Sequence, residues 1–408
     1  MIVLKVIDKI LAEIIVFLIK IYQFTISPDK WLPSLRLKWK ICSHYPHCSQ
    51  YSINCLKRYW FIKWIPKMTE RVVSCTPSKE KIYDPEYYKI VFFSWAPIWV
   101  PFLHELQKDK RFEIVWVVTM PDAPSGRWME AKPNIIKTEA EKIIANHKEN
   151  TANEFIKTPN SLRLDPKKHS EEAHKFKLRL EAKNPDYLVV IAYGKIIPQY
   201  ILDIAQIAPI NVHGSLLPKY RGASPLQSVF LNQERQTGIT IMKMDANMDT
   251  GNMIDMLKFD IEFNWTVKDL IEKIMQKWPQ FLNNTLQSFG KKQLWEVKQD
   301  ENKATYCQKI EKEDWEINPY KDSIQEIYNK YRWYYIRPKI FFQNLSTQKR
   351  VIIENLKLDQ KLFESEKNKP LFIENELNKC ILDISLKPEW KKLMDRQSFK
   401  SGYLKSSK

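Results

Sequence analysis

Ala208-Pro-Ile-Asn-Val-His-Gly-Ser-Leu-Leu-Pro218, followed by Arg221-Gly-Ala-Ser-Pro225, Thr237-Gly-Ile-Thr240 and Met248-Asp-Thr-Gly251, is the stretch on which the reading of this chain turns. Residues 208–212 form an apolar run short enough for a buried strand, and residues 238–242 form a second. Asn211 and His213 are two apart, so an extended backbone points both side chains the same way. Asp249 falls in the turn after the second run. An amide donor, an imidazole and a carboxylate thus gather at strand ends. These are the residue types that steady an oxyanion and move a proton in acyl transfer.

Working outward, residues 90–93, 113–119 and 187–192 read as strands, and residues 136–147 and 171–183 as helices. Strands alternating with helices predict βαβ units around a parallel sheet of Rossmann type, with the site at the strands' carboxyl ends. Residues 267–289 read as an amphipathic helix that closes this domain (residues 89–290), and residues 291–303 as a polar linker. Residues 304–400 read as a small β domain, with a helix at 323–331 and strands at 349–357 and 379–387. Its lysines and aromatics suit a nucleic-acid backbone. The fold class is therefore α/β, with an OB-like β-barrel at the C-terminus and a small helical, Cys-containing module over residues 1–85.

The N-terminal 26 residues are apolar except for Lys5, Asp8, Lys9, Glu13 and Lys20, which fall on one narrow helical face. The uninterrupted apolar run is too short to span a bilayer. Charges break it and no small-residue cleavage site follows, which argues against a signal peptide. An amphipathic helix on a membrane surface fits; burial against its own domain is the other reading. A formal charge of +17 and a pI near 9.3 call for a polyanionic partner, either nucleic acid or anionic membrane, unless the lysines only solvate the surface. Six cysteines without a C-x-x-C fit a reduced cytoplasmic protein better than a disulfide scaffold. Cys42, Cys48 and Cys75 with His44 or His47 could hold a metal, although the spacing is not a standard zinc pattern.

Two resemblances follow. Tyr22-Gln-Phe-Thr-Ile-Ser-Pro28, Cys42 with Pro46-His-Cys48-Ser-Gln-Tyr51, Cys75 and Tyr83-Asp-Pro85 resemble the membrane protein insertion efficiency factor family. That implies a module on the inner face of the cell membrane, held by residues 1–26 beside the insertion machinery. Ile90-Val-Phe92, Val118-Thr-Met-Pro-Asp-Ala-Pro-Ser-Gly-Arg127, Asn184-Pro-Asp186, Val190-Ile-Ala-Tyr-Gly-Lys-Ile-Ile-Pro198 and the 211–251 stretch resemble the formyltransferases that use 10-formyltetrahydrofolate. With Lys303-Ala-Thr-Tyr306 and Lys387-Pro-Glu389 added, residues 89–400 are similar to the methionyl-tRNA formyltransferase family.

The second resemblance implies formyl transfer from 10-formyltetrahydrofolate to methionyl-initiator tRNA, with no metal. Asn211 and protonated His213 donate to the oxyanion, and Asp249 holds the imidazolium and takes the amine proton through water. Tyr193, Gly194, Lys195 and Ile196, together with Ser215, Leu216, Leu217 and Pro218, line the folate pocket. The loop 122–132 approaches the tRNA acceptor end with Arg127 and Lys132, fewer basic residues than the family usually places there. The competing readings are transfer to the amine of a sugar nucleotide or of glycinamide ribonucleotide, and a membrane-associated assembly protein with an inactive transferase half.

Composition holds one further signal: 8 Gly against 14 Trp, where Gly averages roughly 7% of residues. Trp60, Trp64, Trp116, Trp128, Trp315 and Trp390 stand where the two families carry Gly. The pattern reads as UGA codons that the source decodes as glycine and that are translated here as Trp, with Trp265 and Trp333 genuine. It predicts indoles that are exposed or strained at the six positions, because Trp tolerates neither positive φ nor close backbone approach.

Overall fold

The computed structural model describes residues 2–25, 44–75, 82–83, 85–125, 130–145, 155–160, 170–309, 311, 313–335, 339–344, 348–373, 376–399 and 401. Ile90, Val91, Phe92 and Phe93 have no exposed surface, so this strand is covered on both faces, as the interior of a parallel sheet requires. It is the first of seven: Tyr88–Phe93 (β1), Phe112–Val118 (β2), Ile156–Lys157 (β3), Tyr187–Val190 (β4), Ala208–His213 (β5), Gln236–Lys243 (β6) and Met253–Asp260 (β7). Their spatial order is β7-β6-β5-β4-β1-β2-β3. β1 to β5 run parallel, while β6 and β7 are antiparallel. Ile90 and Phe92 pack with Phe102, Leu282 and Leu286 on one face; Val91 and Phe93 pack with Phe176 and Leu180 on the other.

The chain winds from β1 out to β3, then returns to the opposite side of β1 for β4. The winding therefore reverses between β1 and β4, the place where open α/β sheets bind ligands. Residues 94–96 and 191–196 follow the carboxyl ends of those two strands. The helix Val267–Gly290 closes the domain. It starts at a capping box in which the Thr266 N–H donates to Asp269 Oδ2 at 2.8 Å.

The C-terminal sheet is antiparallel: Phe341–Gln343, Arg350–Leu358, Ile381–Pro388 and Met394–Asp395, in that order. Among the described residues it is open rather than closed into a barrel, with a two-residue strand at its edge. The helix Ile324–Trp333 joins it to the central domain. Arg332 donates to the carbonyls of Trp265 (2.5 Å) and Glu262 (3.1 Å), and its guanidinium lies over Phe230. Burial lowers its pKa to about 10. The stretch read as a linker is fastened down: Arg221 holds Gln299 and Glu301, and Arg221–Gly222 pairs with Tyr306–Cys307.

The helix Ile2–Thr25 (α1) lies along Cys48–Val73 (α2). Asp8 Oδ1 accepts from the Ile62 N–H at 2.8 Å, and Gln23 Nε2 donates to Ser49 Oγ at 3.1 Å. Much of α1's apolar surface stays open, including Phe17 at 63% and Phe24 at 86% exposed. Among the described residues no helix is long and apolar enough to cross a membrane.

α2 is two arms, not one rod, because Trp60 breaks it with φ 63° and ψ −165°. Essentially only glycine reaches that conformation easily. Trp390 also has positive φ, at 61°, with its indole 91% exposed. At Trp116 the indole is not exposed, and the register of β1 with β2 slips by one residue as it is reached. The ring is buried beside Phe176 under the Lys157 and Lys183 ammonium groups, although its Nε1 finds no acceptor among the described residues. Trp315 Nε1 is likewise buried without one, whereas Trp64 Nε1 donates to Ser52 Oγ at 3.0 Å. Trp128 lies outside the described residues.

Candidate active site

β5 ends the parallel run, and its register with β4 and β6 sets where its polar residues stand. Asn211 lies opposite Val190 of β4 and Met242 of β6, and His213 lies opposite Thr240. The alternation of the strand puts both side chains on one face, as the spacing predicts. Asp249 comes from the turn between β6 and β7 and takes a positive φ of 58°. Asp and Asn adopt this conformation more readily than most residues. The turn is closed at Gly251, where an added Cβ would lie 1.8 Å from the Lys243 carbonyl oxygen.

All three groups meet. Asn211 Nδ2 donates to Asp249 Oδ1 at 3.3 Å, and His213 Nδ1 faces Asp249 Oδ2 at 3.6 Å. His213 is buried, and its Nε2 lies 2.8 Å from the Tyr220 carbonyl. An N–H on Nε2 satisfies that carbonyl, so Nδ1 is the nitrogen that faces the reactive side. The Gly222 N–H donates to Asp249 Oδ2 at 2.8 Å. Behind the loop, Gln299 Nε2 donates to the carbonyls of Asp249 (2.8 Å) and Gly251 (2.7 Å), while its Oε1 accepts from fully buried Arg221.

Tyr193, Gly194, Lys195 and Ile196 lie just past β4, at the point where the winding reverses. Tyr193 is buried edge-on to Phe93, and burial pushes its hydroxyl pKa up. Neither its hydroxyl nor Ser94 Oγ, at the end of β1, has a hydrogen-bond partner among the described residues. Buried polar groups without partners are rare and call for an explanation. Gly194 has φ 79°, with the Trp95 indole closing on the space a Cβ would take. Lys195 donates to the carbonyls of Pro159 and Asn160, and desolvation lowers its pKa. Ile196 is exposed.

Ser215, Leu216, Leu217 and Pro218 form a separate turn. Ser215 Oγ donates to the Lys219 carbonyl, Thr240 Oγ1 donates to that of Ser215, and the Leu217 N–H donates back to Thr240 Oγ1. Leu216, Leu217 and Pro218 line a hollow shared with Thr237, Lys303 and Thr305. Lys132 stands exposed at the end of a short hairpin, Ala123–Ser125 with Glu130–Lys132; Arg127 lies outside the described residues. The sequence reading missed the Tyr220 carbonyl, the Gly222 N–H and Gln299. Glycine after Arg221 was the one available signal, and a Gln inside a polar connecting stretch offered none.

Comparison with known proteins adds two families. Residues 88–286 match the family described as "Formyl transferase", and residues 11–87 match "Putative membrane protein insertion efficiency factor". A methionyl-tRNA formyltransferase of Caldicellulosiruptor saccharolyticus is 38% identical over 252 residues, covering 62% of this chain and 75% of that protein. One of Natranaerobius thermophilus is 30% identical over 324 residues, covering 77% and 97%. Among solved structures, the methionyl-tRNA formyltransferase from Clostridium thermocellum is 19% identical with a TM-score of 0.42, covering 67% of this chain and 94% of that one.

Proposed function

The chain belongs to the methionyl-tRNA formyltransferase family, with an insertion-factor module ahead of its catalytic part, and from that premise we propose that it carries the formyl group of 10-formyltetrahydrofolate to the α-amino group of methionine on initiator tRNA. The observation that supports this most directly is the contact of Asn211, His213 and Asp249 at the end of β5. The amine is already a nucleophile and adds to the formyl carbon. The second Asn211 N–H is available to the oxyanion that forms. His213 Nδ1 joins it when the ring is doubly protonated, since Nε2–H is committed to Tyr220. Asp249 balances that imidazolium and accepts the amine proton through water. Collapse of the adduct breaks the bond from the formyl carbon to the tetrahydrofolate nitrogen, which takes up that proton through the same water. One such preorganised donor contributes roughly 2.7–4 kcal/mol in other enzymes.

The folate belongs in the crevice between β1 and β4. Ser94 Oγ and Tyr193 Oη would find their partners there, with Gly194, Lys195 and Ile196 on its wall. Ser215 to Pro218 close the pocket from the side of β6, where Thr240 ties their turn to the strand opposite His213. Lys132 and Arg127 reach for the acceptor end of the tRNA, and the basic C-terminal domain takes its backbone. α1, with its open apolar stripe, rests on the inner face of the membrane, where the module assists insertion.

Two assays test these assignments. The full-length protein should formylate methionyl-initiator tRNA in preference to an amino-sugar nucleotide or glycinamide ribonucleotide. Preference for either small amine would replace the tRNA reading, and no transfer to any acceptor would leave the assembly-protein reading. It should also float with anionic vesicles, and Phe17→Ser with Phe24→Ser should abolish flotation; unchanged flotation would remove α1 as the anchor.

A further inference from the structure

We propose that the N-terminal module is a metal site for a zinc-class divalent cation, held by His44, Cys48 and Cys75. One ligand atom from each lies within 4.8 Å of the others, and His44 is buried. Tetrahedral zinc with sulfur and imidazole ligands needs its ligand atoms about 3.5–4 Å apart, so metal entry requires side-chain shifts of under about 1 Å. Two thiolates and an imidazole select zinc-class ions over magnesium or calcium, which prefer all-oxygen ligands.

The backbone explains why these three meet. A straight 26-residue helix would set its ends about 39 Å apart. Trp60 folds α2 into arms of twelve and thirteen residues, each about 18–20 Å long, so the second returns to where the first began. Contacts across the hairpin follow this register. Trp64 reaches Ser52 at 3.0 Å and Arg71 covers the Tyr51 ring at 3.9 Å. Arg71 also donates to the Pro46 carbonyl at 2.7 Å, and Ser74 Oγ stands 3.5 Å from His44 Nε2. Cys48 opens the first arm and Cys75 follows the second. His44 is placed beside them by its pairing with Ile82. Three protein ligands leave a fourth coordination position to water or another donor. A bound ion would clamp the open end of the hairpin, far in sequence from the transfer chemistry, and the proposal does not depend on that chemistry.

The experiment uses the full chain, produced with zinc in the medium and purified in mild reductant. Elemental analysis should find one zinc per chain. Cys48→Ser and Cys75→Ser should each hold less than a tenth of that, and Cys380→Ser, altered far from the cluster, should keep it. Because a serine variant could fail to fold, cobalt(II) is also titrated into metal-free wild-type protein. Thiolate-to-cobalt charge-transfer absorption saturating at one equivalent is the expected result. Metal-free protein as purified, with no cobalt absorption, would overturn the site. So would zinc retained by both serine variants, or a Cys48–Cys75 disulfide found by mass spectrometry in reductant.

Discussion

The two clusters of chemistry-bearing residues in this molecule are built in opposite ways. Asn211 and His213 are held by a strand register, two residues apart, in the interior of a sheet whose every neighbour is paired. His44, Cys48 and Cys75 are brought together by a hairpin of helix arms that turns on one strained residue. The first arrangement is over-determined, because changing one contact leaves the strand in place. The second hangs on equal arm lengths and on φ at residue 60. Local spacing reports a site outright when the intervening backbone is short and regular. Where a turn decides which distant residues meet, as among Cys42, Cys48, Cys75, His44 and His47, it offers candidates without choosing among them, and of these Cys42 lies outside the described residues.

Substitutions can break that comparison, beginning with the largest effect. Asn211→Ala should lower kcat about 10²–10³-fold in the formylation assay while leaving zinc content unchanged. Cys48→Ser should do the reverse, and a variant that lost both would tie the two clusters together. Trp60→Gly should stabilise the hairpin by about 1–3 kcal/mol, the cost of a residue held in a region only glycine reaches easily. Hydrogen exchange of the amides of residues 48–75 reads this directly, and faster exchange would refute the strain. The codon at residue 60 is a sharper check, since UGG would end its reading as glycine.

Gln299→Ala removes the donor to the Asp249 and Gly251 carbonyls. The expected fall in kcat is about tenfold, from the roughly 1–3 kcal/mol cost of leaving a buried polar partner unsatisfied. A wild-type rate would show that the β6–β7 turn holds itself. The smallest effect belongs to Asp8→Ala, which removes the acceptor for the Ile62 N–H at the start of the second arm. A loss of about 1 kcal/mol, typical of a helix N-cap, should appear in urea unfolding of the module; no change would mean that packing alone orients α1.

Much of this was legible beforehand. The strands read at 90–93, 187–192 and 208–212 are largely apolar runs and form within two residues of those bounds, and the pair at 211 and 213 follows from a period of two. β7 was not legible, since Met253–Asp260 mixes charged and apolar residues along an edge. Nor was the docking of residues 299–307, where a polar stretch with loop composition is pinned by a buried arginine from another element. The burial of Trp116 was misjudged for a related reason: whether an indole fits is set by what lies across the sheet, here Phe176 and two lysine ammonium groups.

By itself the sequence determined the alternation of strands and helices, the family, the pair Asn211 and His213 on one strand and Asp249 in the turn after another, because all of these are written in short-range patterns of apolar and polar residues. Only the tertiary structure decided which nitrogen of His213 faces the carboxylate, that Gln299 braces the β6–β7 turn, and that, among the described residues, His44 rather than His47 is the imidazole that meets Cys48 and Cys75. Those facts depend on backbone direction and on contacts between distant segments, and neither leaves a local mark on the chain.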